Sequence, residues 1–205
     1  MIQMGRNSMS NKSLTHALDK FLENFKDSHS VNSHITVEIN SDLNFLNIRG
    51  SIANKNFFSN AERVFNQPLP TIFNTFTSGS HQIYWQAPDE WLLVTDHDLN
   101  SIIQEVNLVD DIYVSDQSGG LVQLSVQGPK VHPLLAKSCT LNLNENLILP
   151  GQCAQTGLAK APVLIALVDA TPQFNFVIRR SFAEYTALWL AQTGEEFGIK
   201  FLRKE

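Results

Sequence analysis

The chain has 205 residues, 43% of them hydrophobic and thirteen of them Phe, which is material for a genuine core in one domain or two small ones and excludes disorder of the whole chain. Only 17% of residues are charged, and 15 Lys+Arg against 20 Asp+Glu leave a formal charge of −5, so the basic face of a nucleic-acid binder is not indicated. No apolar run reaches the ~20 residues of a membrane span, and the polar segment from Met1 to Asn11 has no signal-peptide core. Cys139 and Cys153 are too few for a disulfide framework and read as reduced thiols, so the expectation is a cytoplasmic protein with neither membrane nor nucleic acid as partner.

Met1 to Lys12 shows no periodicity and is expected to be disordered. Leu14, Leu18, Phe21, Leu22 and Phe25 then recur at helical spacing and form one apolar stripe on a helix of about four turns. A polar segment, Lys26 to Ser33, follows as a linker. Residues 1–33 therefore read as a flexible extension bearing one amphipathic helix, and residues 34–205 as the main domain. The stripe needs a surface to dock on, either in its own domain or on another chain.

From His34 onward strands and helices alternate. Ile35–Ile39 and Phe45–Ile48 read as strands, the second stopped by Gly50, and Phe57–Phe65 as a short helix closed by Pro68 and Pro70. Gln82–Trp85 and Trp91–Val94 read as a hairpin turned by Pro88-Asp89. Asp98 is placed to cap a helix running to about Asn107. Leu121–Val126 alternates like a half-buried strand, and Gly128-Pro129 opens a helix towards Lys137. Gln155–Leu158 and Val163–Val168 read as strands separated by Ala161-Pro162, with Phe174–Ile178 as another. Ser181-Phe-Ala-Glu184 fits a capping box at the head of a helix ending near Gly198. Irregular alternation with hairpins predicts an α+β fold with mostly antiparallel sheets and packed helices.

Catalytic signatures are missing. The sequence contains no GxGxxG, no Walker loop, no HExxH and no GxSxG, and Gly119-Gly120 reads as a turn. The six histidines are scattered, with none at metal-ligand spacing to a cysteine. Asp110-Asp111 and Glu195-Glu196 read as solvated faces, and Asp89-Glu90 as a turn. Two features stand out. Arg179-Arg180 ends an apolar strand just before a helix, which suits a guanidinium anchor for a carboxylate of a partner, a ligand or the chain itself. Lys160 interrupts an apolar strand in a similar way.

Five segments in register carry a family resemblance over roughly residues 35 to 200. They are Leu46–Gly50, Trp85–Leu93, Pro150–Thr156, Leu158–Pro162, and Arg179–Ala183 followed by Leu188-Trp-Leu190. Together they resemble the gamma subunit of heterotetrameric sarcosine oxidase. Leu124-Ser-Val-Gln-Gly-Pro129 departs from that pattern, being longer than the usual run. The resemblance implies a fold like the folate-binding domain of glycine-cleavage aminomethyltransferases. It also implies an accessory role against an alpha-type large subunit, with beta and delta subunits completing the complex. That complex oxidises sarcosine to glycine and hydrogen peroxide and captures the one-carbon unit on tetrahydrofolate.

By the same resemblance, no cofactor belongs to this chain; FAD, FMN, NAD and the working tetrahydrofolate site belong to the larger subunits. The Gly-Gly-x-x-Asp-Asp stretch of active aminomethyltransferases is matched to Ala161–Val168, which holds no carboxylate before Asp169, so no catalytic residue is expected. Arg179, Arg180, Lys160, Asp89 and Trp91 are the residues expected at a partner interface or groove. A stand-alone folate-binding or transferase domain, and a scaffold for another partner, are the alternative readings.

Overall fold

The structure is a computed structural model that describes residues 16–25, 33–54, 56–144 and 147–204. Eleven strands are described. They are β1 (Ile35–Asn40), β2 (Asn44–Arg49), β3 (Phe76–Ser78), β4 (Gln82–Ala87), β5 (Glu90–Thr95), β6 (Tyr113–Asp116), β7 (Leu121–Gln127), β8 (Cys153–Leu158), β9 (Ala161–Asp169), β10 (Gln173–Arg179) and β11 (Ile199–Lys204). The described α-helices are α1 (Asp19–Asn24), α2 (Phe57–Phe65), α3 (Leu99–Val106), α4 (Val131–Ser138) and α5 (Ala183–Gly194). One sheet has the order β11-β1-β7-β10-β9-β8 and the other β3-β4-β5-β2-β6. Every named pairing is antiparallel except β1 with β11, so the fold is α+β with antiparallel-rich sheets.

Period-2 alternation sorts the side chains into three clusters. Val122, Leu124 and Val126 of β7, with Phe174, Phe176 and Ile178 of β10, point to the outer face of the first sheet, where Leu134 and Leu135 of α4 and Ala187 and Leu190 of α5 cover them. On the second sheet Trp91 and Leu93 turn outward to Phe57 and Phe65 of α2 and Ile102 of α3. Their strand neighbours Leu92 and Val94 turn inward instead, and with Phe45 and Tyr84 they meet Leu164, Ala166 and Val177 of the first sheet. Two sheets thus pack face to face, with helices on both outer sides.

The helix Phe57–Phe65 falls where the periodicity predicts, and its last turn is closed by Asn66 in the left-handed region at φ 49°. Asp98 caps α3, its carboxylate accepting from the Asn100 amide at 3.3 Å. Gly50 leaves room for the second core: a Cβ there would lie 1.9 Å from the Phe57 ring. Helix α1 docks within the chain. Leu18 and Phe21 are buried in the main core, Phe21 and Phe25 both meet the ring of Phe201, and Asp19 pairs with Arg203. Leu14, the Met1–Lys12 segment and all of the expected linker except Ser33 lie outside the described residues.

Several local expectations are corrected. Strands β3, β6 and β11 add to the predicted set. The β8–β9 turn is Ala159-Lys160, with Ala159 at φ 51°, while Ala161-Pro162 begins β9; Lys160 therefore sits in a hairpin turn rather than within a strand. The capping box is not made. The Arg180 amide donates to the Gly120 carbonyl at 2.8 Å, a 3-10 turn occupies Arg180–Phe182, and Phe182 takes the N-cap position with no side-chain cap. Ser181 thus lies inside the turn, where its hydroxyl does not meet the first free amides of α5. Helix α5 ends at Gly194 and a second 3-10 turn carries the chain to Gly198, whose φ of 70° redirects it into β11.

Candidate functional site

The five residues singled out from sequence lie in different places. Arg179 closes β10, opposite Leu121 of β7, with its side chain exposed. Arg180 is half-buried beside an open groove that it shares with His16, Asp19, Lys20, Glu23 and Arg203. Burial pushes the His16 imidazole below its ordinary range, and the charges of Arg180 and Arg203 add to that push while Asp19 opposes it. Lys160 is exposed in the β8–β9 turn, where its backbone N–H donates to the Tyr185 hydroxyl at 3.4 Å.

Asp89 and Trp91 belong to the second sheet. Asp89 is exposed in the β4–β5 turn and uses its carbonyl, which accepts from the Gly50 amide at 3.3 Å. Trp91 is buried: its indole N–H donates to the Pro70 carbonyl at 2.8 Å, and its ring lies 5.3 Å from that of Phe57. Glu90 opens β5, where its carboxylate accepts from Asn47 and from Arg49, each at 2.7 Å, so it is more than a solvated turn residue. The five candidates are thus divided between the two sheets and their flanking turns.

Around the Trp91 end of this sheet the surface is apolar. A depression of about 310 Å³ is lined by Ile52, Phe58, Phe73, Trp85, Pro88 and the edge of Trp91. Phe73 is 70% exposed, Ile72 64% and Ile52 57%, bare large apolar side chains at this end of the sheet. Sequence reasoning missed Ile52, Ile72 and Phe73, because each stands outside any periodic element. Their only signal was apolar character inside loops bounded by Gly50 and Pro70.

A second concavity is polar. It measures about 400 Å³ and opens between the sheets where β1, β4, β5, β7 and β10 converge. Its wall holds a linked set of buried side chains. The Gln82 Oε1 atom accepts from the Tyr84 hydroxyl at 2.8 Å, from Asn175 Nδ2 at 3.1 Å and from Gln123 Nε2 at 3.2 Å. Asn175 Oδ1 accepts from the Ser125 hydroxyl at 2.7 Å. His81 and Thr95 also line it, with His81 Nδ1 and the Thr95 hydroxyl 2.9 Å apart. Burial, followed by the neighbouring His97, holds the His81 imidazole below its ordinary range, and Asp96 opposes the shift. Burial also raises the Tyr84 phenol, so it stays protonated and serves as a hydrogen-bond group.

None of this is a recognisable catalytic arrangement. Among the described residues no three His, Cys, Asp or Glu side chains could jointly hold a metal, and no helix is long and apolar enough to cross a membrane. Strand β9 runs from Ala161 to Asp169 with its only carboxylate exposed at the far end. Burial pushes the Cys153 thiol up to about 12, which leaves it un-ionised.

Comparison with known proteins connects these observations. Heterotetrameric sarcosine oxidase from Corynebacterium sp. U-96, solved in complex with pyrrole 2-carboxylate, contains a chain that superposes with a TM-score of 0.79 at 20% identity, covering 91% of this chain and 97% of that one. The glycine cleavage system aminomethyltransferase T from Bartonella henselae superposes with a TM-score of 0.60 at 15% identity, over 83% of this chain and 48% of that one. In sequence, the sarcosine oxidase subunit gamma of Corynebacterium sp. (strain U-96) is 29% identical over 117 residues, 56% of this chain and 57% of that relative's length. The sarcosine oxidase, gamma subunit family profile matches residues 49–196, which include β3 to β10, the Trp91 depression and Arg179-Arg180. The chain belongs to the sarcosine oxidase gamma subunit family.

Proposed function

We propose that this chain is a non-catalytic accessory subunit of a sarcosine-oxidase-type complex, seated against an alpha-type large subunit that beta and delta subunits accompany. The carrying observation is the pairing of family membership over residues 49–196 with a likeness in fold that spans nearly the whole gamma-sized chain. The apolar surface of Ile52, Ile72 and Phe73 supports a partner, since bare side chains of this size are best covered by one. In this reading the assembled complex removes the N-methyl group of sarcosine by oxidation, giving glycine and hydrogen peroxide, and tetrahydrofolate takes up the one-carbon unit. FAD, FMN, NAD and tetrahydrofolate reside in the larger subunits, in the cytoplasm. The missing glycine-rich nucleotide loop and the carboxylate-free run of β9 before Asp169 support that division of labour. Arg179, Arg180, Lys160, Asp89 and Trp91 contribute to or underlie the contact surfaces.

Co-expression with the genomically neighbouring chains, followed by size-exclusion chromatography, tests the assignment. The expected result is co-elution as one coloured, sarcosine-oxidising complex, with the isolated chain colourless and inactive. A flavin spectrum carried by the isolated chain would overturn it. The fold it shares with aminomethyltransferase T supports a second reading, a stand-alone folate-binding domain. Titration of the isolated chain with tetrahydrofolate tests that reading.

A further inference from the structure

The apolar depression at the Trp91 end of the second sheet has a fixed floor. Trp91 is 1% exposed, and its indole N–H is pinned to the Pro70 carbonyl at 2.8 Å. Its ring rests against Phe57 at 5.3 Å and meets Phe58 edge to face at 5.9 Å. Ile52 and Phe73 line the same space, and both are more than half exposed. A space of about 310 Å³ built this way can take a large side chain without first reorganising. It lacks the convergent polar groups of a small-molecule site. Of its lining residues only Thr71, Trp85 and Trp91 carry a polar side-chain atom, and the Trp91 N–H is already used.

The charge beside it is acidic. Asp89 is exposed and follows Pro88 of the lining, and its carbonyl accepts from the Gly50 amide. Further along the loop that holds Ile52, Asn54 Nδ2 donates to the Asp111 carboxylate, which brings the exposed Asp110-Asp111 pair alongside. Arg49 does not offset these groups, because its guanidinium is paired with Glu90 at 2.7 Å. Lys55 adds one positive charge in sequence against the three aspartates. An apolar socket beside uncompensated carboxylates is complementary to an apolar side chain with a cation next to it.

We propose that the depression receives an apolar anchor of Leu, Met or Phe size from a segment of the large subunit, with a Lys or Arg beside the anchor facing Asp89 and Asp110. This rests on the accessory-subunit reading above and adds to it which face is covered and by what kind of residue. The anchor supplies the buried area, while the cation sets register and speeds encounter.

The test uses the full chain co-expressed with its genomic neighbours. The purified complex is diluted serially and its dissociation read by mass photometry, for wild type, Ile52→Asp, Phe73→Asp and the double variant Asp89→Lys/Asp110→Lys. All four positions are exposed, so melting curves of the isolated variants should match wild type, and either Asp variant suffices if the other does not fold. Each Asp variant should raise Kd about tenfold or more. The double variant should raise it about threefold or more at about 50 mM NaCl and little at about 500 mM. Unchanged Kd in a folded Asp variant, or a salt dependence like wild type in the double variant, would overturn the proposal and leave the accessory reading standing. A wild-type chain that forms no complex would overturn both. Self-association of the isolated chain that Phe73→Asp abolishes would give the face to a second copy and overturn the proposal.

Discussion

The rings of Phe21 in α1 and Phe201 in β11 meet edge to face, with centroids 4.8 Å apart and planes at 71°. Phe25 meets the same ring of Phe201 at 4.8 Å and 69°, so two aromatic residues of the N-terminal segment clasp one residue of the last strand. A six-residue helix is too short to persist alone in water, and this contact, with Leu18 fully buried beside it, is what holds it. Phe21→Ala should lower stability by roughly 3 kcal/mol, at the lower end for a buried Phe because α1 lies at the margin of the core. Chemical denaturation measures it. Deleting residues 1–30 should lower the midpoint further yet keep a cooperative transition, since every sheet pairing lies beyond residue 34.

Gly128 follows β7 at φ 130°, and a Cβ there would stand 2.2 Å from the backbone carbonyl of His34. Both the conformation and the space exclude a side chain, and the obstacle is backbone, which cannot rotate aside. Gly128→Ala should therefore cost about 2–3 kcal/mol or more. Gly119, with open space around it, is the matched control: Gly119→Ala should leave the thermal midpoint nearly unchanged.

Stability should fall on mild acidification. His81 and His16 are both held below the ordinary imidazole value of 6.5, chiefly by burial. The unfolded chain then takes up protons that the native chain resists, so stability is full above pH 6.5 and declines as pH falls from there through the lowered native values. Urea midpoints between pH 7.5 and 5 should drift downward. His81→Asn, which does not titrate, should flatten part of the slope. An unchanged slope would show that His81 takes no part.

The two thiols should react unequally. Cys153 is buried with its thiol pushed up to about 12, and its Sγ lies 3.4 Å from the Thr75 carbonyl. Cys139 is half-exposed beside Thr156. Ellman's reagent should titrate Cys139 in the folded chain and reach Cys153 only on unfolding. Cys139→Ser should abolish the fast phase.

The two neighbouring arginines should separate in effect. Arg179 is exposed, whereas Arg180 is half-buried with its backbone tied to Gly120. Arg179→Ala should weaken association with the large subunit by about 1 kcal/mol or more with little change in thermal midpoint, and Arg180→Ala should do the reverse. Pull-down affinity and melting curves on the same variants read both. Equal affinity of both variants with wild type would remove Arg179 from the interface.

What the chain alone determined is the local grammar. Apolar patterning placed β1, β2, β4, β5, β7, β8, β9 and β10, helical spacing placed α2 within the residue, and Asp98 announced α3, because in each case the signal lies in neighbouring residues. Strands β3, β6 and β11 were illegible for the opposite reason. Each exists because a partner strand leaves an edge for it: β4, β2 and β1 respectively. The capping box at Ser181 failed because the Gly120 carbonyl, sixty positions away, captures the Arg180 amide and shifts the helix start. The same holds for function. Family segments such as Trp85–Leu93 are contiguous and could be read directly, whereas the cleft joins Asn40, Gln82, Gln123 and Asn175 across four strands of two sheets. Each of those residues is unremarkable in its own strand. Only the face-to-face packing of the sheets brings them together and buries Gln123 and Asn175 among them.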